Sequence, residues 1–248
     1  MTWLPLAGLA LVLVTGGLLV ALTFLQRKTP TRFRHIPAFE RLNRAIGLSV
    51  EDGTRLHFSL GRGDMLSTNS AAGLASLAVL RRIAQQTAIS DKPSVSTSGD
   101  GVLAILSRDA IESAFQSVGA TEQYQPTAGQ VSGLTPFSYA AGAISVIRSG
   151  DVSANIILGH FGAEAALLTD AAERENTFLL ASSDNLPAQS VLFAAADQPL
   201  IGEELYASGA YVKAGASHLA SLTIQDILRW LIVFVLLGGM LLKLAGVL

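Results

Sequence analysis

The apolar residues of this chain are concentrated at its two ends. Residues 3–25 carry no charged side chain, and residues 230–248 carry only Lys243. A helix needs about 20 consecutive apolar residues to cross the hydrocarbon core of a bilayer. The pattern therefore predicts a transmembrane helix at residues 3–25 and another at residues 228–248.

Between these anchors the pattern changes to short apolar runs that alternate with segments of helical period. The predicted strands are residues 46–50, 54–60, 94–97, 102–107, 153–158, 177–182 and 191–196. The predicted helices are residues 70–86, 108–118, 136–148, 162–174, 200–207 and 217–229. The first two strands flank Asp52 and Gly53, a pair typical of hairpin turns. Because strands alternate with helices, we expect an α/β domain with a largely parallel sheet over residues 46–227.

The two halves of this domain resemble each other in sequence. Residues 56–64 (LHFSLGRGD) resemble residues 155–164 (NIILGHFGAE). In the same order, residues 93–101 resemble residues 176–185, and residues 102–112 resemble residues 191–203. The repeated order predicts an internal duplication with halves at 46–119 and 134–216, joined by a polar connector.

The distribution of charge predicts how the chain lies in a membrane. The first 55 residues contain seven basic and three acidic side chains, and nothing basic precedes Trp3. The first apolar run is therefore an uncleaved anchor rather than a secretory signal. Positive charge beside a membrane span stays in the cytoplasm. We expect a two-span protein of the cell membrane with a cytoplasmic soluble domain, whose residues 26–45 form a basic juxtamembrane connector against the lipid bilayer.

Composition argues against several classes of protein. Cysteine is absent, so there is no disulfide, no thiolate metal site and no cysteine nucleophile. The four histidines lack the paired spacing of zinc ligands. A pI near 6.1 and 15% charged residues argue against nucleic-acid binding. No nucleotide-binding motif is present. We therefore expect no metal, no cofactor and no nucleic-acid partner.

Four loops that follow predicted strands carry the candidate ligand-binding residues. In an open α/β sheet, ligands bind beyond the carboxyl ends of the strands. The same residue types are also those that tight turns and helix caps require, so both interpretations stay open here. The candidate residues are Gly61, Gly63, Asp64, Ser98, Asp100, His160, Ser183 and Asp184.

His160 is the only histidine in these loops. With Asp170, Asp184 or Ser183 it can form an acid–base group if the fold brings the two side chains together. A histidine in a loop more often has no such role. No catalytic residue is therefore assigned from the sequence.

Two segments carry a family resemblance: residues 48–63 (LSVEDGTRLHFSLGRG) and Ser107 to Glu112 (SRDAIE). They resemble an uncharacterised family of bacterial membrane proteins, in which an α/β domain of unknown function lies between terminal transmembrane helices. The resemblance implies this architecture for most of the soluble segment. It transfers no catalytic residue, because the family has no assigned activity.

The low charge and the many alanines and glycines favour a protein surface that is covered by partners. We therefore expect a non-enzymatic structural or accessory subunit of a membrane-associated assembly. Its partners would be further copies of the chain or other membrane-protein subunits. A ligand-binding or sensory module that uses the four loops is the first alternative, and a hydrolase or transferase is the second.

Overall fold

The computed structural model describes residues 3–28, 33–63, 70–149 and 151–246. The chain divides into two units: the two terminal segments, residues 1–34 and 215–248, form one, and residues 35–214 form the other. In chain order the elements are α1 (Trp3–Lys28), α2 (Pro37–Glu51), β1 (Arg55–Gly61), α3 (Ser70–Thr87), β2 (Val95–Ser98), α4 (Gly101–Ser117), β3 (Gly129–Val131), α5 (Pro136–Ile147), β4 (Val152–His160), α6 (Ala165–Arg174), β5 (Phe178–Ser183), α7 (Leu186–Ala195), β6 (Gln198–Pro199), α8 (Glu204–Tyr211) and α9 (Ala216–Leu244). Two 3₁₀ turns, Thr121–Gln123 and Pro126–Ala128, precede β3.

The terminal unit consists of α1 and α9, which pack against each other. Both helices are long enough and apolar enough to cross a membrane. The predicted helix at residues 217–229 and the second anchor form one continuous helix, α9. Long apolar helices at both ends of the chain are therefore confirmed.

The predicted strand at residues 46–50 is wrong, because this segment belongs to α2. Phe39, Leu42 and Ile46 recur at helical spacing and are buried on one face of that helix. Gly53 has a φ of +63°, and the amide of Thr54 donates to the carbonyl of Ser49 at 2.9 Å. This is how a helix ends on a left-handed glycine. The Asp-Gly pair therefore terminates a helix instead of turning a hairpin.

Two further predicted strands, residues 102–107 and 191–196, are also wrong. The first lies in α4, which Asp100 caps by accepting a hydrogen bond from the amide of Leu103 at 2.8 Å. The second lies largely in α7, which has Pro187 in its first turn. No apolar run or period indicated β3 and β6, which contain three and two residues.

The six strands form one parallel sheet in the order β3-β2-β1-β4-β5-β6. The predicted α/β fold with a parallel sheet is confirmed. Strands β1 and β4 are neighbours although the chain completes β2 and β3 between them, so the winding reverses there. This is the topological switch point of a doubly wound sheet.

The sheet comprises two halves of three strands, β1–β3 and β4–β6. The first two predicted sequence pairs match β1 with β4 and β2 with β5, which hold equivalent positions in the two halves. The third pair matches α4 with the end of α7 and β6, which are not equivalent. A common origin of the halves stays a prediction.

Helices cover both faces of the sheet. Leu56, Phe58 and Leu60 alternate along β1 and contact the apolar faces of α2, α3, α4 and α8. Ile157 of β4 and Leu179 of β5 belong to the opposite face, which is covered by α5, α6 and α7. Both faces are buried, as parallel sheets require.

Candidate functional site at the carboxyl edge of the sheet

The fold brings the four loops singled out in the sequence to one edge of the sheet. They follow β2, β1, β4 and β5, which are adjacent in that order. The loops after β1 and β4 meet at the switch point, where ligands bind in many open α/β sheets. Asp64 lies outside the described residues, while Gly63, the last residue described after β1, is buried.

Backbone contacts fix three of these loops to one another. The amide of Arg62 donates to the carbonyl of His160 at 2.9 Å, and the amide of Gly99 donates to the carbonyl of Gly61 at 2.8 Å. Gly61 has a φ of +71°, and a Cβ there would lie 2.3 Å from the carbonyl oxygen of His160. Only glycine fits this crossing.

The end of β4 contains an irregularity in its pairing with β1. Ser59 pairs with Ile157, but Gly61 pairs with His160, so β4 contains one extra residue. Such a bulge changes the direction in which the following side chain points. The bulge places His160 at the carboxyl edge of the sheet, where the loops meet.

The structure selects one of the three partners considered for His160. The Nδ1 atom of His160 lies 2.7 Å from Oδ1 of Asp184, and the two side chains are 25% and 16% exposed. The hydroxyl of Ser183 instead accepts from the amide of Phe161 at 3.1 Å. Asp170 lies on the exposed side of α6 and pairs with Arg174 at 2.8 Å.

A carboxylate beside Nδ1 fixes the orientation and tautomer of an imidazole, because the nitrogen then carries the proton it donates. An oriented imidazole at an accessible edge can hydrogen-bond a ligand or transfer a proton. The His160–Asp184 pair is therefore the chemically most versatile group among the described residues of this edge.

Two candidate residues have local structural roles. The hydroxyl of Ser98 donates to the carbonyl of Asp100 at 2.9 Å, and the carboxylate of Asp100 caps α4. These contacts agree with the interpretation of this loop as an ordinary turn and helix cap. The loop between β2 and α4 therefore borders the candidate site, while these two side chains hold the loop itself in place.

Sequence reasoning missed two charged side chains at this edge. Glu164 immediately precedes α6 and is only 3% exposed, and no hydrogen bond to its carboxylate occurs within the described residues. The side chain of Arg62 passes over Gly99, where a Cβ would lie 2.2 Å from its Cγ, and its buried Nε has no acceptor among the residues that the structure describes. In the sequence, only their positions next to the loop glycines Gly61 and Gly162 could have indicated that these two side chains belong to the site.

A row of buried polar side chains crosses the sheet beneath this edge. The imidazole of His57 in β1 contacts Oδ1 of Asn155 and Oγ1 of Thr97, each at 2.9 Å, and Nδ2 of Asn155 donates to Thr177 at 2.7 Å. The oxygen of Asn155 therefore faces His57, whose Nδ1 donates. Burial lowers the pKa of His57 to about 4, so the ring is neutral at pH 7.

Tyr139 of α5 supports the switch point from below. Its hydroxyl contacts the hydroxyl of Ser59 and accepts from the amide of Gly61 at 3.3 Å. Burial raises the pKa of this phenol, so it stays protonated. The loop after β1 is thus held by a side chain of α5, the helix that precedes β4 in the chain.

No three His, Asp or Glu side chains come together as metal ligands within the part of the chain that the structure describes. The strand order is that of dinucleotide-binding sheets. However, Leu66 stands where the third glycine of their phosphate-binding turn would be, since the run is Gly61-Arg62-Gly63-Asp64-Met65-Leu66. Strand order alone carries no function.

Comparison with known proteins gives a family for this chain but no activity. A family model described as a domain of unknown function (DUF6754) matches residues 4–248, and the chain belongs to this family. This agrees with the resemblance to an uncharacterised family. No curated protein and no solved structure matches the chain.

Proposed function

Because this family membership brings no activity with it, we propose from the geometry that the chain is a membrane-anchored module that binds a small polar ligand. The ligand occupies the carboxyl edge of the sheet, between the loops after β1 and β4. The observation that supports this proposal is the His160–Asp184 pair, held at 2.7 Å beside the switch point.

The other groups of the edge define the polarity of the ligand. Arg62 offers a guanidinium whose Nε has no acceptor in the described part of the chain, and Glu164 offers a nearly buried carboxylate. Their charges are opposite, so a ligand that both accepts and donates hydrogen bonds suits the edge better than a polyanion. The N-terminus of α4 is unsuited to an anion because Asp100 already caps it.

A ligand screen on the full chain in mild detergent tests this proposal. A metabolite library is scanned for compounds that raise the melting temperature, followed by far-ultraviolet circular dichroism. Binding to the native state alone stabilises it. We expect Asp184→Asn and His160→Gln to abolish the shift. Asp170→Asn, which removes the exposed carboxylate beside Arg174, should retain it. A library without a stabilising compound, or a shift that survives Asp184→Asn, would contradict the proposal.

We also propose that α1 and α9 span the cell membrane and leave residues 35–214 in the cytoplasm. The basic residues that follow α1 support this orientation. A reporter fused after residue 248 should then be active outside the cytoplasm. A reporter inserted after Glu122, in an exposed 3₁₀ turn, should be active inside. The reverse pattern would overturn the orientation.

A structural or accessory role in an assembly is the second candidate, with another copy of this chain as the partner. It is supported by exposed apolar side chains around β3, a strand at the edge of the sheet. Leu134 and Phe137 are 68% and 67% exposed, and Ile105 on the neighbouring α4 is 65% exposed. Large apolar side chains that stay exposed beside an edge strand favour contact with another chain.

The oligomeric state in mild detergent tests this second candidate. Native mass spectrometry should detect an oligomer that Phe137→Asp dissociates. Leu186→Asp, which changes an equally exposed apolar residue on α7, should leave the oligomer intact. A wild-type chain that is monomeric in detergent would argue against this role.

A further inference from the structure

A separate cleft lies at the opposite edge of the sheet, at the amino ends of β1, β2 and β3. It has a volume of about 750 Å³, which is within the usual range for small-molecule sites. Arg55 and Val95, the first residues of β1 and β2, form its floor. Phe115 near the end of α4 and Ser145 near the end of α5 contribute to its walls. None of its lining residues belongs to the carboxyl-edge site.

Arg55 lines this cleft, and its guanidinium forms no ion pair within the described residues, although its charge helps to lower the pKa of Asp151. Its Nε is buried and has no acceptor within the described residues. The nearby Asp151 accepts a backbone hydrogen bond from Arg55 through its carbonyl, at 2.6 Å, but its carboxylate pairs with Lys92 at 2.5 Å. A buried donor without an acceptor is unfavourable, and Arg55 can gain one from the cleft if its guanidinium turns towards an acceptor that enters there.

Three glutamines line the same cleft: Gln123, Gln125 and Gln130. No hydrogen bond of their carboxamides occurs within the described residues, and each carboxamide can both donate and accept. Two of the four serines that line the cleft differ, because Ser90 and Ser145 donate to carbonyls of their own chain segments. The cleft therefore combines a guanidinium with three carboxamides that make no hydrogen bond to the described residues.

The charges around the cleft select among anionic ligands. A guanidinium binds carboxylate and phosphate groups through paired hydrogen bonds. The amino edge of a parallel sheet, however, is also where α4 and α5 end, and helix C-termini carry partial negative charge. Asp91 lines the cleft as well. These groups oppose a multiply charged phosphate and favour a cationic or donor group on the ligand.

We propose that the amino-edge cleft is a second binding site, for a small molecule that carries one carboxylate and one ammonium or amide group. This is the chemical class of the free amino acids. Arg55 binds the carboxylate, and the glutamine carboxamides with Asp91 bind the polar remainder. The site is independent of the ligand site proposed at the carboxyl edge.

The experiment uses the full chain in mild detergent and a panel of standard L-amino acids, with inorganic phosphate as a separate arm and chloride at matched ionic strength as the blank. At least one amino acid should raise the melting temperature in a concentration-dependent manner. Arg55→Gln should abolish that shift, and Gln125→Ala, a change on an exposed turn, should weaken it without affecting the fold. Arg81→Gln, an exposed change on α3, is the control and should keep the shift, whereas Arg62→Gln reports on the carboxyl edge, where Arg62 lies.

The possible results separate this inference from its rivals. An amino-acid panel that produces no shift, or a shift that survives both Arg55→Gln and Gln125→Ala, would overturn the site. Stabilisation by phosphate as strong as that by any amino acid would overturn the ligand class. A shift lost in Arg62→Gln but kept in Arg55→Gln would assign the ligand to the carboxyl edge, and so would support the earlier proposal against this one.

Discussion

The ring Nδ1 of His57 lies 2.9 Å from the side-chain oxygen of Asn155, between two central strands and fully buried. The two residues pair directly across β1 and β4. Each is bonded again on its far side, to Thr97 and to Thr177. A polar row inside an apolar sheet is tolerated when every member is satisfied.

This burial predicts that acid destabilises the α/β unit through His57. The pKa of His57 is lowered to about 4 in the fold, against about 6.5 in an unfolded chain. The unfolded state therefore binds more protons between these values. Stability is full above pH 6.5 and falls as the pH drops towards 4, by on the order of 3 kcal/mol.

The test is the free energy of urea unfolding, followed by circular dichroism at pH 7 and at pH 4.5. His57→Gln should remove most of the fall that the wild type shows between these two pH values. The Asp151 carboxylate, whose pKa Lys92 lowers, changes protonation only at a more acidic pH. An unchanged slope in the variant would show that His57 does not titrate in this way.

Gly61 and Gly53 form a matched pair for the switch-point crossing. Both have positive φ, +71° and +63°, but a Cβ at Gly61 would lie 2.3 Å from His160, whereas at Gly53 the nearest atom would be 3.9 Å away. Gly53→Ala should cost about 1–2 kcal/mol of unfolding free energy, from the backbone alone. Gly61→Ala should cost about 3 kcal/mol or more, because the crossing must also open. Equal losses of unfolding free energy in the two variants would mean that the contact between Gly61 and His160 opens at little cost.

Tyr139→Phe tests the support beneath the loop after β1. The change removes the hydroxyl that contacts Ser59 and accepts from Gly61. Leaving buried partners unsatisfied should lower the unfolding free energy by about 1–3 kcal/mol. Tyr206→Phe, at an exposed tyrosine, should change it by less than about 0.5 kcal/mol. Similar effects of the two changes would argue against a supporting role for the Tyr139 hydroxyl.

The two terminal helices are joined by a polar contact that a double-mutant cycle can measure. Nε2 of Gln26 donates to Oγ1 of Thr223 at 2.7 Å, and Gln26 is buried. Gln26→Leu and Thr223→Val should show a coupling free energy of about 0.5–2 kcal/mol. The unfolding free energies of the wild type, the two single variants and the double variant in mild detergent give this coupling.

A control for this cycle is Thr15→Val. The hydroxyl of Thr15 donates to the carbonyl of Leu11 in its own helix, at 2.9 Å. Combined with Gln26→Leu, it should show no coupling. Coupling as large as that between Gln26 and Thr223 would indicate a general loosening of the helices.

The predictable parts of the fold are those in which period and length agree. Helices α3 and α5 and strands β4 and β5 lie within a few residues of their predicted positions, because each has one consistent period. The strand predicted at residues 46–50 was wrong because a five-residue apolar run fits either a strand or one side of a helix. The Asp-Gly pair that follows it likewise suits both a hairpin and a helix end. Strands β3 and β6 are too short to show any period.

The candidate site likewise contains a part that the sequence predicts and a part that it does not. Its loops could be placed from the sequence because turn residues follow apolar runs, and the parallel order then aligns them. The choice of Asp184 over Asp170 as the partner of His160 depends on strand register, which no local pattern encodes. The same holds for His57, whose partners lie 40 and 98 positions away in the chain.

The extra residue near the end of β4 makes the position of the His160 imidazole depend on the number of residues in that strand. Between Ser59 and Gly61 the neighbouring strand advances by two residues, while β4 advances by three. Strict alternation would turn the side chain at position 160 towards a sheet face already filled with apolar groups. The number of residues along β4, as well as the histidine itself, therefore decides on which side of the sheet this imidazole lies.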